Sequence, residues 1–81
     1  MSESLPAPTA SQVKDLRRRL NLSQEKFAER YGFGLDSVQS LEQANRTPGS
    51  GNRTLLHMIM TDSETVDSLI GRVYAGFRRP K

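Results

Sequence analysis

Apolar side chains recur at helical spacing through most of the chain, and they divide it into short helices. Val13, Leu16 and Leu20 follow an i, i+3, i+7 pattern, which predicts one buried stripe on helix 1. Helix 1 is expected to begin at Ser11, with Thr9 as a competing N-cap, because both hydroxyls can accept a backbone N–H of the first turn.

Two further helices, residues 24–31 and 35–44, are predicted on either side of a sharp turn at Gly32. Glycine ends the first of them because it adopts the left-handed conformation at little cost, and Ser23 is a good N-cap at its start. The apolar positions that face each other are Phe27, Ala28, Tyr31, Val38 and Leu41. A helix, a tight glycine turn and a second helix form the helix-turn-helix unit, whose second helix can lie in the major groove of DNA.

Two more helices complete an all-α fold of five helices. Residues 50–60 predict helix 4, with Leu55, Leu56 and Ile59 in the core. Helix 5 is expected to begin near Thr61 or Asp62, because Thr61 followed three residues later by a glutamate fits a capping box.

Helix 5 has more apolar surface than one small domain must bury. Its apolar positions are Val66, Leu69, Ile70, Val73, Tyr74 and Phe77. Either the whole face packs on helices 1 and 4, or Val73, Tyr74 and Phe77 continue into a contact with a partner.

Length and composition agree with one small helical domain. The chain has 81 residues, of which 35% are hydrophobic and 26% charged, and its net charge of +3 is compatible with an anionic partner. It has no cysteine and one histidine, His57, so disulfides and metal sites are not expected. No apolar run is long enough for a membrane span and no secretory signal is visible, so a cytoplasmic protein is expected, nucleoid-associated when it binds DNA.

The domain organisation follows from proline content and charge. Residues 1–10 contain two prolines and predict a flexible N-terminal arm, residues 11–77 form the domain, and residues 78–81 form a basic tail.

Several short motifs occur in one order along residues 11–70. They are Leu22-Ser23-Gln24, Phe27-Ala28, Gly32, Val38, Leu41-Glu42-Gln43 and Arg46-x-Pro48. Each motif is weak alone, but the ordered set resembles the xenobiotic-response-element and phage-repressor (Cro/C1-type) class of helix-turn-helix proteins. The resemblance implies a compact five-helix, lambda repressor-like domain that binds operator DNA, usually as a homodimer. A close variant occurs in small antitoxins that repress their own operon, so the resemblance implies that the partner of Val73, Tyr74 and Phe77 would be either a second copy of the chain or a toxin protein.

The resemblance also assigns roles to two residues outside the second helix of the unit. Arg17 would pair with Glu42, tie helix 1 to the recognition helix and lie near a phosphate. Gln24 would donate to a phosphate and brace the recognition helix; the alternative is an ordinary polar residue of the first turn. The rest of the run around Arg17 is interpreted as a solvated charged face.

The exposed side of residues 35–44 is the expected DNA contact. Leu35, Asp36, Ser37 and Ser40 are nearest its N-terminal end and are candidates for base contacts, whereas Gln39 and Gln43 lie nearer the flanking backbone. Asp36 can accept from a cytosine amino group and Leu35 can contact a thymine methyl, but Asp36 can instead cap the helix. The polar loop that follows is expected to hold phosphates through Asn45, Arg46, Thr47 and Arg53.

These expectations favour a sequence-specific DNA-binding repressor. The alternative is an antitoxin that also represses its operon. A further possibility is a helical module that binds protein instead of DNA, and only the acidic recognition helix favours it. An enzyme has little support, since one histidine without a neighbouring carboxylate pattern is poor evidence for a catalytic base. No cofactor is expected.

Overall fold

The computed structural model describes residues 5–77 and contains no strand within that range. The predicted basic tail and the first four residues of the predicted arm lie outside the described residues. The all-α fold class is confirmed. The helices of the described range are α1 (Ala10–Arg19), α2 (Gln24–Tyr31), α3 (Leu35–Glu42) and α4 (Ser50–Phe77).

A residue in the left-handed conformation follows each of the three short helices, one or two positions after its last residue. These residues are Asn21 with φ 61°, Gly32 with φ 79° and Ala44 with φ 61°. After α3, the N–H of Asn45 donates to the carbonyl of Ser40 at 2.9 Å and the N–H of Ala44 donates to that of Leu41 at 3.3 Å. This pair of bonds is a Schellman motif, and it ends α3 two residues before the predicted boundary.

Phe27 lies at the centre of the core and is fully buried. Its ring centroid is 5.1 Å from that of Tyr31 and 5.7 Å from that of Phe33, so the residue after the Gly32 turn packs back onto α2. The remaining buried apolar side chains are Val13, Leu16, Ala28, Val38, Leu41, Leu56, Ile59 and Val66. Each short helix therefore buries the face that its sequence period predicts.

The predicted count of five helices is not matched, because the last two predicted helices follow each other without a loop as α4, with a break at Asp62 near the expected start of helix 5. Asp62 alone leaves helical geometry there, with φ −160° and ψ 84°, and the helix resumes at once. Asp62 caps the second half: its Oδ1 accepts from the N–H of Thr65 at 3.1 Å and its Oδ2 from the Thr65 hydroxyl at 2.7 Å. The predicted capping box at Thr61 is also wrong, since the Thr61 hydroxyl donates to the carbonyl of His57 at 2.8 Å.

Helix α1 begins at Ala10, one residue before the predicted start, because the competing cap is the one used. The Thr9 hydroxyl accepts from the N–H of Gln12 at 3.1 Å, and the Gln12 side chain accepts from the N–H of Thr9 at 2.8 Å. The preceding residues lie along α4, where the carbonyl of Pro6 accepts from Nε2 of His57 at 2.7 Å. Pro8 is buried. Flexibility of the arm stays a prediction.

Two glycine substitutions are expected to change the free energy of unfolding in opposite directions. Gly32→Ala should destabilise the fold by about 1 kcal/mol, because alanine is strained at φ 79° although no atom lies within 4 Å of the added Cβ. The control, Gly71→Ala, also meets open space but lies inside a helix, so it should stabilise the fold by up to about 1 kcal/mol. Urea unfolding measures both; equal effects would contradict the assigned turn.

Candidate nucleic-acid interface

One buried polar cluster fixes α3 relative to the two helices before it. Nε and Nη2 of Arg17 donate to the two carboxylate oxygens of Glu42 at 2.6 and 3.0 Å. Nη1 of Arg17 donates to the carbonyl of Leu22 at 3.0 Å, and the side-chain amide of Gln24 donates to Glu42 at 3.1 Å. The Arg17–Glu42 pair expected from the resemblance is therefore present.

The charges of Arg17 and Glu42 are paired with each other inside the fold. The side chain of Glu42 is only 2% exposed and that of Arg17 14% exposed. Burial alone would raise the pKa of Glu42, but the hydrogen bonds from Arg17 and Gln24 outweigh it and hold that pKa below its ordinary value. The same bond to Glu42 raises the pKa of Arg17. Three of the five guanidinium N–H groups face protein acceptors, so Arg17 and Gln24 act first as positioning residues for α3.

The side of α3 that faces away from Val38 and Leu41 carries the residues predicted to contact DNA. Leu35 is 40% exposed. Asp36, Gln39 and Gln43 are exposed, whereas Ser37 and Ser40 are half-buried. These six side chains therefore share the side of α3 that the core residues Val38 and Leu41 do not occupy.

The capping alternative for Asp36 is wrong. The N-cap of α3 is Gly34, and no side chain hydrogen-bonds to the backbone at that end. Asp36 lies in the first turn, where its charge is favourable for the helix dipole, and its carboxylate is exposed. Its acceptor oxygens therefore remain available on the outer side of α3.

The loop after α3 brings a cation beside the first turn of that helix. Nη1 of Arg46 donates to the hydroxyl of Ser37 at 3.4 Å, and the Arg46 side chain is exposed. The amide nitrogen of Asn45 donates to the amide oxygen of Gln43 at 3.0 Å. Thr47 is exposed and Pro48 is buried beneath the loop. The structure thus brings the loop residues predicted to hold phosphates next to the predicted base-contacting face.

Arg53 is placed differently from the other predicted contacts. Its Nη1 donates to the carbonyl of Leu5 at 3.5 Å, and its Nε is buried without a hydrogen-bond partner. One turn further along α4, His57 donates to the carbonyl of Pro6. Arg53 is therefore turned toward the N-terminal segment, while its role toward DNA stays a prediction.

The sequence analysis missed this contact between the N-terminal segment and α4. The signal available was the pair Arg53 and His57, whose i, i+4 spacing places two donors on one side of a helix. Because proline has no backbone N–H, the proline-rich segment has few donors for its own carbonyls, and these carbonyls can accept from Arg53 and His57 instead.

Two other kinds of site are not found in the part of the chain that the structure describes. Residues 5–77 contain no group of three or more histidine, cysteine or acidic side chains that could hold a metal ion. No helix in the same range is both long and apolar enough to cross a membrane.

Comparison with known proteins adds no functional assignment. No protein-family model matches the chain, and no curated protein matches it. A functional proposal therefore depends on the residues of the chain and their geometry.

Glu42→Gln should lower the free energy of unfolding by about 2 kcal/mol at pH 7. This loss is smaller than the roughly 3–5 kcal/mol expected when one partner of a buried ion pair is removed. It is smaller because Arg17 keeps some contact with water and because the glutamine side chain can still accept a hydrogen bond from Arg17. The pKa of Glu42 is lowered in the folded state. The difference in free energy of unfolding between the parent and Glu42→Gln is therefore complete above about pH 4.3, the ordinary pKa of glutamate, and it disappears as the pH falls through the lowered pKa.

Urea unfolding of both proteins at pH 7 and at low pH measures this difference. The matched control is Glu29→Gln, because Glu29 is 75% exposed and its ion pair with Lys26 spans 3.8 Å. An equal loss for the two variants at pH 7 would contradict the role given to the buried cluster.

Proposed function

We propose that the chain binds double-stranded DNA sequence-specifically and acts as a small transcriptional repressor. In this proposal α2 and α3 form a helix-turn-helix unit, and α3 is the recognition helix in the major groove. Such a repressor acts in the cytoplasm, at the nucleoid when bound. The resemblance to the phage-repressor class supports the same function.

The observation that carries the proposal is the outer side of α3 with Arg46 beside it. A rigid helix that exposes short polar side chains can approach base edges closely. A neighbouring arginine can meet a phosphate, since Arg46 is exposed and its hydrogen bond to the Ser37 hydroxyl is long, at 3.4 Å. The Arg17–Glu42–Gln24 cluster supports the proposal further, because base contacts require a helix held at one angle.

Affinity and sequence preference come from different residues in this proposal. α3 carries Asp36 and Glu42 and no basic residue, so phosphate contacts by Arg46 and its neighbours supply most of the attraction. The predicted phosphate contacts are Gln24, Asn45, Arg46, Thr47, Arg53 and Arg17. Asp36 accepts from a cytosine amino group, and Leu35 packs on a thymine methyl. A homodimer would bind two half-sites.

The antitoxin alternative has one specific observation in its favour. The second half of α4 exposes a large apolar side chain, Phe77, at 87%. A toxin that covers this region would give the same chain a second partner, with DNA binding retained for autorepression.

Arg46→Ala should weaken binding to all DNA sequences and reduce the slope of log K against log salt concentration by about one. The reason is the loss of one phosphate contact and of the counterion that it releases. Fluorescence anisotropy with labelled duplexes at several salt concentrations measures the slope.

Arg19→Ala is the matched control for that loss of charge. Arg19 is exposed. It lies two residues after Arg17, which is a rotation of about 200° around α1, and it is on the side of α1 that faces Met60 of α4. It should leave the slope unchanged. Equal slopes for all three proteins would remove Arg46 from the phosphate contacts.

Asp36→Ala should change the preferred base at one position of the half-site and leave the others unchanged. A lost contact to a base is worth about 1–3 kcal/mol of discrimination. Selection from random duplexes, run in parallel with the exposed control Asp15→Ala on α1, measures the preference. Identical selected sequences for the parent and Asp36→Ala would show that Asp36 does not read a base.

A further inference from the structure

The N-terminal strap, residues 5–9, borders two elements that are proposed to contact DNA. On one side, the carbonyl of Leu5 accepts from Nη1 of Arg53 at 3.5 Å, and the carbonyl of Pro6 accepts from Nε2 of His57 at 2.7 Å. On the other side, residues 7–10 and residues 46–48 line the same open cavity of about 280 Å³. The strap therefore reaches from the first two turns of α4 to the loop after α3.

The sequence of the strap prepares it for docking. Pro6 and Pro8 each have φ fixed at about −65°, and each restricts the residue before it to extended conformations. Four consecutive residues therefore lose little conformational entropy when the strap docks. The last residue, Thr9, is the N-cap of α1, so the end of the strap is fixed to that helix.

The loop after α3 has little hydrogen bonding of its own. Residues 46–48 take part in no backbone–backbone hydrogen bond in the part of the chain that the structure describes, since the Schellman motif ends at Asn45. The side chain of Arg46 adds one long bond to Ser37, at 3.4 Å. The position of the loop thus depends on packing more than on hydrogen bonds.

Two buried prolines contribute that packing. Pro48 is buried in the loop and Pro8 is buried in the strap, although neither lies in a helix. Both residues line the cavity between the strap and the loop, together with Leu41 of the core. Removing the strap would uncover this side of the loop, so Arg46 and Thr47 would lose a surface that limits their movement.

We propose that the strap positions the loop after α3 for contact with DNA phosphates, and that His57 is the positioning residue that anchors the strap. The carbonyl of Pro6 can only accept, so the Nε2 of His57 donates in this contact. The bond from His57 is short, whereas the bond from Arg53 to the strap is long, so His57 is the main anchor. The purpose given to the loop rests on the proposed function, but the contact between the strap and the loop does not.

The strap is not expected to inhibit DNA binding by holding Arg53. It bonds Arg53 through one long hydrogen bond, and Nε of the same guanidinium is buried without a hydrogen-bond partner among the described residues. A phosphate offers stronger, charge-assisted bonds than a backbone carbonyl. DNA would therefore draw Arg53 away from the strap with little resistance, while His57 keeps the strap in place.

His57→Phe tests the anchor, because phenylalanine keeps an aromatic ring but has no N–H for the carbonyl of Pro6. Without DNA, ¹⁵N relaxation of the full chain should give backbone order parameters of about 0.85 for Arg46 and Thr47 in the parent and about 0.6 or lower in the variant. His57→Gln keeps a donor and should stay close to the parent. Pro8→Gly removes the buried ring from the strap without changing α4, so it should loosen the loop in the same way.

Fluorescence anisotropy with labelled duplexes measures the consequence for the proposed function. His57→Phe should raise the dissociation constant about three- to tenfold for all sequences, because the loop must then be ordered on binding. The slope of log K against log salt concentration should stay that of the parent, since the same lysine and arginine side chains meet the phosphates. Loss of a direct phosphate contact would instead reduce the slope.

Thr61→Ala is the matched control, because the Thr61 hydroxyl donates to the carbonyl of His57 and makes no hydrogen bond to the strap. It removes one hydrogen bond from the same part of α4 and should leave both the loop order parameters and the DNA affinity unchanged.

Unchanged order parameters of Arg46 and Thr47 in both His57→Phe and Pro8→Gly would overturn the inference, and so would an equal change in Thr61→Ala. DNA binding by His57→Phe that is tighter, unchanged or reduced in salt slope would overturn the positioning role. A parent that binds no DNA would refute the proposed function. The order parameters measured without DNA would still decide whether the strap holds the loop.

Discussion

The guanidinium of Arg17 determines how the first three helices meet. The apolar core makes α3 pack against α1 and α2, but hydrophobic contact is non-directional and would allow α3 to rotate or slide. The hydrogen bonds from Arg17 to Glu42 and to the carbonyl of Leu22 are directional, so they select one arrangement. Burying Glu42 is tolerated because its carboxylate receives donors from both Arg17 and Gln24.

The parts of the fold that depend on local chemistry were predictable from the sequence. α2 spans the predicted residues 24–31, with Ser23 as its cap, and the turn follows Gly32. Two other turns use Asn21 and Ala44 in the left-handed conformation. An asparagine after the last apolar residue of a helix is a signal for such a turn that the sequence analysis did not use, whereas alanine rarely adopts this conformation. The conformation of Ala44 follows from the packing of the helices on either side, which no local pattern records.

Competition between neighbouring polar groups explains the other differences between the predicted and the observed structure. Thr61 and Asp62 are both reasonable caps, and the choice depends on where each side chain finds a partner. The Thr61 hydroxyl bonds backward to His57, which leaves Asp62 to bind Thr65. The contact of Pro6 with His57 lies between residues 51 positions apart, so a proline-rich start resembled a free arm in the sequence.

The charge balance of α3 bears on the proposed DNA binding. Because Glu42 is paired inside the fold, Asp36 is the charge that α3 presents outward, and Arg46 is the cation bonded to its first turn. In the proposed function, one copy would therefore engage few phosphates and read few bases. Joining two copies makes the second binding event intramolecular and adds its phosphate contacts, which can raise weak affinity by orders of magnitude. A homodimer is thus the state in which recognition by α3 would gain the affinity that the proposed function needs.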